Sequence, residues 1–140
     1  MKVFDGYKEY LNENSVLIGH SLGCLFILNL LEKLDIRIRA AFLVAGFTGF
    51  IGNEYFDTIN KTFIEKNFDW EKIRKNCKCF FVYGSDNDHY IPLPMGEELA
   101  EKLNAELKII KNAGHFNEKS GYTKFEILLN DIKKIIAKDL

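Results

Sequence analysis

The chain has 140 residues, 47% of them hydrophobic and 28% charged, which suits one soluble globular domain with a real core. Its formal net charge of -1 and pI near 6.3 exclude an electrostatic case for nucleic acid or an anionic membrane surface. No run reaches the ~18 consecutive apolar residues of a membrane span, and Lys2, Asp5, Lys8 and Glu9 interrupt any N-terminal signal core, so a cytoplasmic protein is expected.

Val3, Phe4, Tyr7 and Leu11 recur at helical spacing, so residues 3–12 are predicted as an amphipathic helix that turns at residues 12–14. Val16, Leu17 and Ile18 form the short apolar run of a buried parallel strand. Leu22, Leu25, Phe26, Leu28, Leu30, Leu31 and Leu34 then follow at mostly helical spacing. Between them stands Gly19-His20-Ser21-Leu22-Gly23, a G-x-S-x-G sequence. On a sharp strand-to-helix turn this places the serine hydroxyl above the sheet at a helix N-terminus, and glycines are expected on both sides because a Cβ there would meet backbone. Cys24, one turn past Ser21, is expected to fill space beneath the turn.

Residues 36–44 read as a second strand. Residues 46–68 are loosened by Gly46, Gly49 and Gly52 and then partly helical, with aromatics that complete the core or line an acyl pocket. Asp69 can cap a short helix from Trp70, and residues 79–83 form a third buried strand. Cys77-Lys-Cys79 lacks zinc spacing, and the three cysteines are expected as reduced thiols, with Cys77 and Cys79 packed on one strand face. Pro94 suits the first turn of a helix that carries Leu99 and Leu103 inward. Residues 107–110 make a fourth strand, and a last helix over 122–138 repeats Phe125, Leu128, Leu129, Ile132, Ile135 and Ile136. Such alternation predicts a single α/β domain over residues 1–140, doubly wound, with about four mainly parallel strands and helices on both faces.

In open α/β sheets function gathers at the carboxyl ends of the strands, where the loops hold Ser21, the Asp86/Asp88 pair and His115. A serine hydroxyl needs a base to take its proton, and the base needs an acid to hold its tautomer. The chain order Ser21, Asp86 or Asp88, His115 is the order used in α/β hydrolases. His20 should face away from the Ser21 hydroxyl, and His89 adjoins Asp88 too closely in sequence to couple with it. Of the three histidines, His115, after Gly114, is favoured as the base.

Val16-Leu-Ile-Gly-His-Ser-Leu-Gly23, Trp70-Glu-Lys-Ile73, Gly84-Ser-Asp-Asn-Asp-His-Tyr-Ile-Pro92 and Ala113-Gly-His-Phe116 carry a family resemblance. From about residue 4 to residue 136 the chain resembles the small α/β-hydrolase family containing the retinoblastoma-binding serine hydrolase and bacterial YdeN-type proteins. The resemblance implies Ser21 as nucleophile, Asp88 as acid and His115 as base, with Asp86 in reserve, and the Leu22 N–H as one oxyanion donor. His89 stands where the family usually has proline.

The expected function is serine hydrolysis of a small carboxylic ester, thioester or amide through an acyl-enzyme, with no metal or organic cofactor. The family also carries an N-terminal strand and a glycine-containing loop that supplies the other oxyanion donor, whereas the match here starts at the helix before the elbow strand. Weak turnover and self-association along an open sheet edge are therefore expected. The alternative is a catalytically weak or inactive relative that binds a protein or small ligand.

Overall fold

A computed structural model describes residues 2–138. The strands are β1 (Val16–His20), β2 (Ile38–Val44), β3 (Cys77–Ser85) and β4 (Leu107–Ile110). The helices are α1 (Lys2–Asp5), α2 (Leu22–Leu31), α3 (Glu54–Ile59), α4 (Lys61–Ile64), α5 (Trp70–Lys75), α6 (Leu93–Leu103) and α7 (Glu126–Ile136). The four strands are parallel and lie in the order β1-β2-β3-β4. With strands laid down in chain order, right-handed crossovers put the connecting helices on one face. Leu25, Leu28, Leu31, Ile73 and Leu99 of α2, α5 and α6 accordingly share one core with Leu43 and Val82. The other face is covered by α7, whose Leu128, Ile132 and Ile135 join Phe42, Tyr83 and Phe116.

The central strands are buried on both sides, and on the α7 face Phe42 stacks on Phe81 with centroids 4.5 Å apart. Asp131 of α7 anchors the helix to the sheet by accepting from the Tyr83 hydroxyl at 2.9 Å and pairing with Lys108. The Lys108 contact, outweighing the effect of burial, holds the Asp131 carboxyl below its usual range. Register aligns the upper ends of the strands, His20 beside Val44 and Val44 beside Tyr83, so their following loops meet at one end.

Several local expectations are corrected. The N-terminal helix is only α1 followed by a 3-10 turn over Lys8–Tyr10; Phe4 and Leu11 pack on the core, while Tyr7 and Tyr10 are exposed. Cys77 packs with the α2-side core and Cys79 with the α7-side core, so the two do not share one strand face. The last helix begins at Glu126, and its Leu129 and Ile136 are exposed at 49% and 61%. β1 is an edge strand of the sheet, and its Ile18 is 55% exposed. Residues 46–68 resolve into a loop, α3 and α4, with Phe47 and Phe68 buried and Phe50 and Tyr55 exposed.

Candidate active site

β1 ends at His20, and α2 begins at Leu22, so Ser21 alone makes the turn. Its φ of 55° and ψ of -121° lie where a residue with a Cβ is strained. The strain is offset by two hydrogen bonds: the Ser21 N–H donates to the Val44 carbonyl of β2 and the Ser21 carbonyl accepts from the Cys24 N–H, each at 2.9 Å. The buried Cys24 thiol donates to the carbonyls of Gly19 and Val44, and burial pushes it up to about 12, so it is a spacer rather than a nucleophile. The two elbow glycines are not equivalent. A Cβ at Gly19 would stand 2.9 Å from the Gly23 backbone, whereas one at Gly23 would meet nothing within 4 Å. Close approach is thus required of Gly19 only. The Leu22 N–H lies in the first turn of α2, where amides lack intrahelical acceptors.

The expected base, His115, lies in the loop after β4. His115 Nδ1 lies 2.8 Å from Asp88 Oδ2, and the two side chains are only 14% and 1% exposed. A carboxylate only accepts, so Nδ1 carries the proton and Nε2 is left with its lone pair. The other Asp88 oxygen, Oδ1, accepts from the N–H groups of Tyr90 and Ile91 at 2.8 and 3.1 Å. Burial by itself would push the Asp88 carboxyl up, but the His115 bond and these two amides together hold it below its usual range. Asp88 is therefore an oriented anion.

Four consecutive side chains of the acid loop grip four consecutive residues of the base loop. Asp86 accepts from the Asn112 N–H at 2.7 Å, Ser85 from that of Ala113 at 3.1 Å, and Asn87 from that of Gly114 at 2.7 Å; Asp88 takes the His115 ring. Asp86, the reserve acid, is thus a backbone clamp. The grip holds a loop in which Asn112, Gly114 and Phe116 all have positive φ. Gly114 is required there, since an added Cβ would lie 2.3 Å from Ser120 Oγ. The sequence showed the motif but not the clamp, whose only signal was a run of short polar side chains.

Ser21 and His115 line one cavity of about 380 Å³, walled by Ile51, Tyr55, Phe56, Tyr90 and Ile91, with Asn53 and Asn117. Asp57 fixes the cavity's outer wall by accepting from the Ile51 and Gly52 N–H groups. Among the described residues the Ser21 hydroxyl makes no hydrogen bond to His115. His89 is exposed, and His20, expected to lie away from the site's chemistry, contacts the main chain of His115. A larger groove, about 590 Å³, runs along the first half of β3, and none of Ser21, Asp88 and His115 lines it.

A parallel sheet, a serine on a strained strand–helix turn, and an Asp–His couple from the next loops define the α/β-hydrolase class. The chain belongs to the serine hydrolase family, whose profile matches residues 4–134. It is 32% identical over 136 residues to YdeN of Bacillus subtilis, covering 95% of this chain and 70% of that protein. To the serine hydrolase RBBP9 of Rattus norvegicus it is 28% identical, covering 92% of this chain and 65% of that one. The crystal structure of the ydeN gene product superposes with a TM-score of 0.90 at 29% identity, covering 98% of this chain and 73% of that chain. The chain thus spans about two thirds of the length of these relatives. No described helix is long and apolar enough to cross a membrane.

Proposed function

We propose that this chain is a serine hydrolase that cleaves a small, uncharged carboxylic ester, thioester or amide. The observation that carries the reading is the 2.8 Å bond from His115 Nδ1 to Asp88, made beside a cavity that Ser21 also lines. His115 Nε2 takes the Ser21 proton as Oγ attacks the acyl carbon, and the imidazolium that forms is stabilised by Asp88. The Leu22 N–H donates to the developing oxyanion at the start of α2. His115 then returns the proton to the departing alcohol, thiol or amine, and water repeats the sequence to release the acid. Acyl transfer to an alcohol or amine uses the same groups. The cavity supports an uncharged acyl chain, since no Asp, Glu, Lys or Arg lines it. Its size lies at the small end for ligand sites.

The test is labelling with a fluorophosphonate followed by mass mapping. The adduct is expected on Ser21 and absent in Ser21→Ala, with the fold retained; an adduct on another serine overturns the proposal.

The open edge of β1, with Ile18 exposed, favours a second property. An uncovered edge strand with an exposed apolar side chain is a pairing surface, and we propose that two copies of this chain associate there. Sedimentation should show concentration-dependent dimers that Ile18→Lys disperses. A stable monomer at every concentration removes this proposal.

A further inference from the structure

His20 immediately precedes the nucleophile, yet its ring turns to the base loop. Its Nε2 lies 2.7 Å from the main-chain carbonyl oxygen of His115. A carbonyl cannot donate, so His20 Nε2 carries the proton and gives it to that bond. The His20 and His115 rings lie 4.7 Å apart at 54°, and Tyr90 meets the other side of His115 edge-on at 5.0 Å. This bond ties the nucleophile strand directly to the residue that supplies the base.

The His115 carbonyl needs such a tie. Gly114 and Phe116 on either side have φ of 52° and 51°, and the latter is unfavourable for an aromatic residue. The acid loop grips the amides of residues 112–114 and the His115 ring, but it leaves the His115 carbonyl to His20. We infer that His20 is a positioning residue: its Nε2–H fixes the His115 carbonyl and thereby sets how the His115 ring is presented to Ser21. The inference rests on the serine hydrolase reading of the same site.

Part of the His20 ring remains in solvent, and the groups that face it are His115 and Asp88. Burial of its inner side, reinforced by His115, keeps the imidazole below its ordinary value against the pull of the His115 carbonyl and Asp88. A neutral ring there lets His115 take up the Ser21 proton without a second cation 4.7 Å away. His20 lies outside the cavity wall, so its loss should act on the chemical step rather than on binding.

The experiment compares His20→Phe, which keeps a ring without the donor, with His20→Gln, whose amide N–H can reach the same carbonyl. With p-nitrophenyl acetate, His20→Phe should lower kcat about tenfold or more, because small misplacement of a catalytic group is costly, with KM held within about twofold. Fluorophosphonate labelling of Ser21 should slow in step, and His20→Gln should recover kcat to within about threefold of the parent. Equal kcat in parent and His20→Phe, equal losses in both variants, or a change confined to KM would overturn the inference. Nitrogen-15 spectra of the histidine rings decide it without turnover. The parent should show His20 protonated on Nε2 and His115 on Nδ1, and His20→Phe should broaden or shift the His115 signals while His20→Gln restores them. A parent that neither turns over nor labels refutes the serine hydrolase reading, and unaltered His115 signals in His20→Phe refute the role of His20.

Discussion

Ser21 and His115 are held by opposite strategies. The elbow is assembled from six residues tied to Val44 of the neighbouring strand: Gly19 permits the close approach, Ser21 carries the strained φ and donates to the Val44 carbonyl, and Cys24 fills and ties the space beneath. The base loop is held from a distance, its residues 112–115 gripped by side chains 26 to 28 positions earlier in the chain. Each such bond contributes a net ~0.5–1.5 kcal/mol, so no single one fixes the loop. The Ser21 pose is thus set by one turn and its tie to Val44, while the His115 pose is shared by two loops and β1.

The sharpest break in that comparison is Asp88→Asn. It should keep the Tyr90 and Ile91 amide bonds and leave the elbow intact, yet reduce kcat by roughly 10³–10⁴, because the His115 tautomer is no longer enforced. The change also carries a pH signature. The Asp88 carboxyl is lowered in the folded state, so as pH falls the unfolded chain takes up that proton first. Its contribution to stability is complete above the ordinary value of 3.8 and is lost as pH drops through the folded value. Urea unfolding at pH 6 and pH 3 should show the gap between parent and Asp88→Asn closing at the lower pH.

The account of the elbow is tested by its two glycines. Gly19→Ala should cost roughly 1–3 kcal/mol by overpacking against the Gly23 backbone. Gly23→Ala meets open space in a helical turn and should be neutral or stabilising by up to about 1 kcal/mol. Equal costs in urea titrations would show that the elbow is not held by the Gly19 contact.

A more modest loss is expected of Asn87→Ala, which removes the acceptor for the Gly114 N–H and a partner of the Ser85 hydroxyl. It should cost about 1 kcal/mol in thermal unfolding and lower kcat several-fold without changing the elbow. A full collapse of activity would mean that the grip is cooperative rather than distributed.

Much of this protein was determined by the sequence alone. Alternating apolar strands and helices define a parallel sheet, and a G-x-S-x-G between strand and helix identifies Ser21, because both patterns are local. The aspartate and histidine of the later loops were legible through motif and chain order, although the residues by themselves left Asp86 and Asp88 open. Tertiary structure decided between them, turning Asp86 to the Asn112 amide and Asp88 to the His115 ring. It also decided that His20 reaches the His115 carbonyl, that Cys77 and Cys79 part to opposite cores, and that Leu129 and Ile136 stay exposed. The physical reason is the same in each case. Periodicity tells which residues share a face, but a bond between loops far apart in sequence, or cover over an apolar face, depends on what the fold brings alongside.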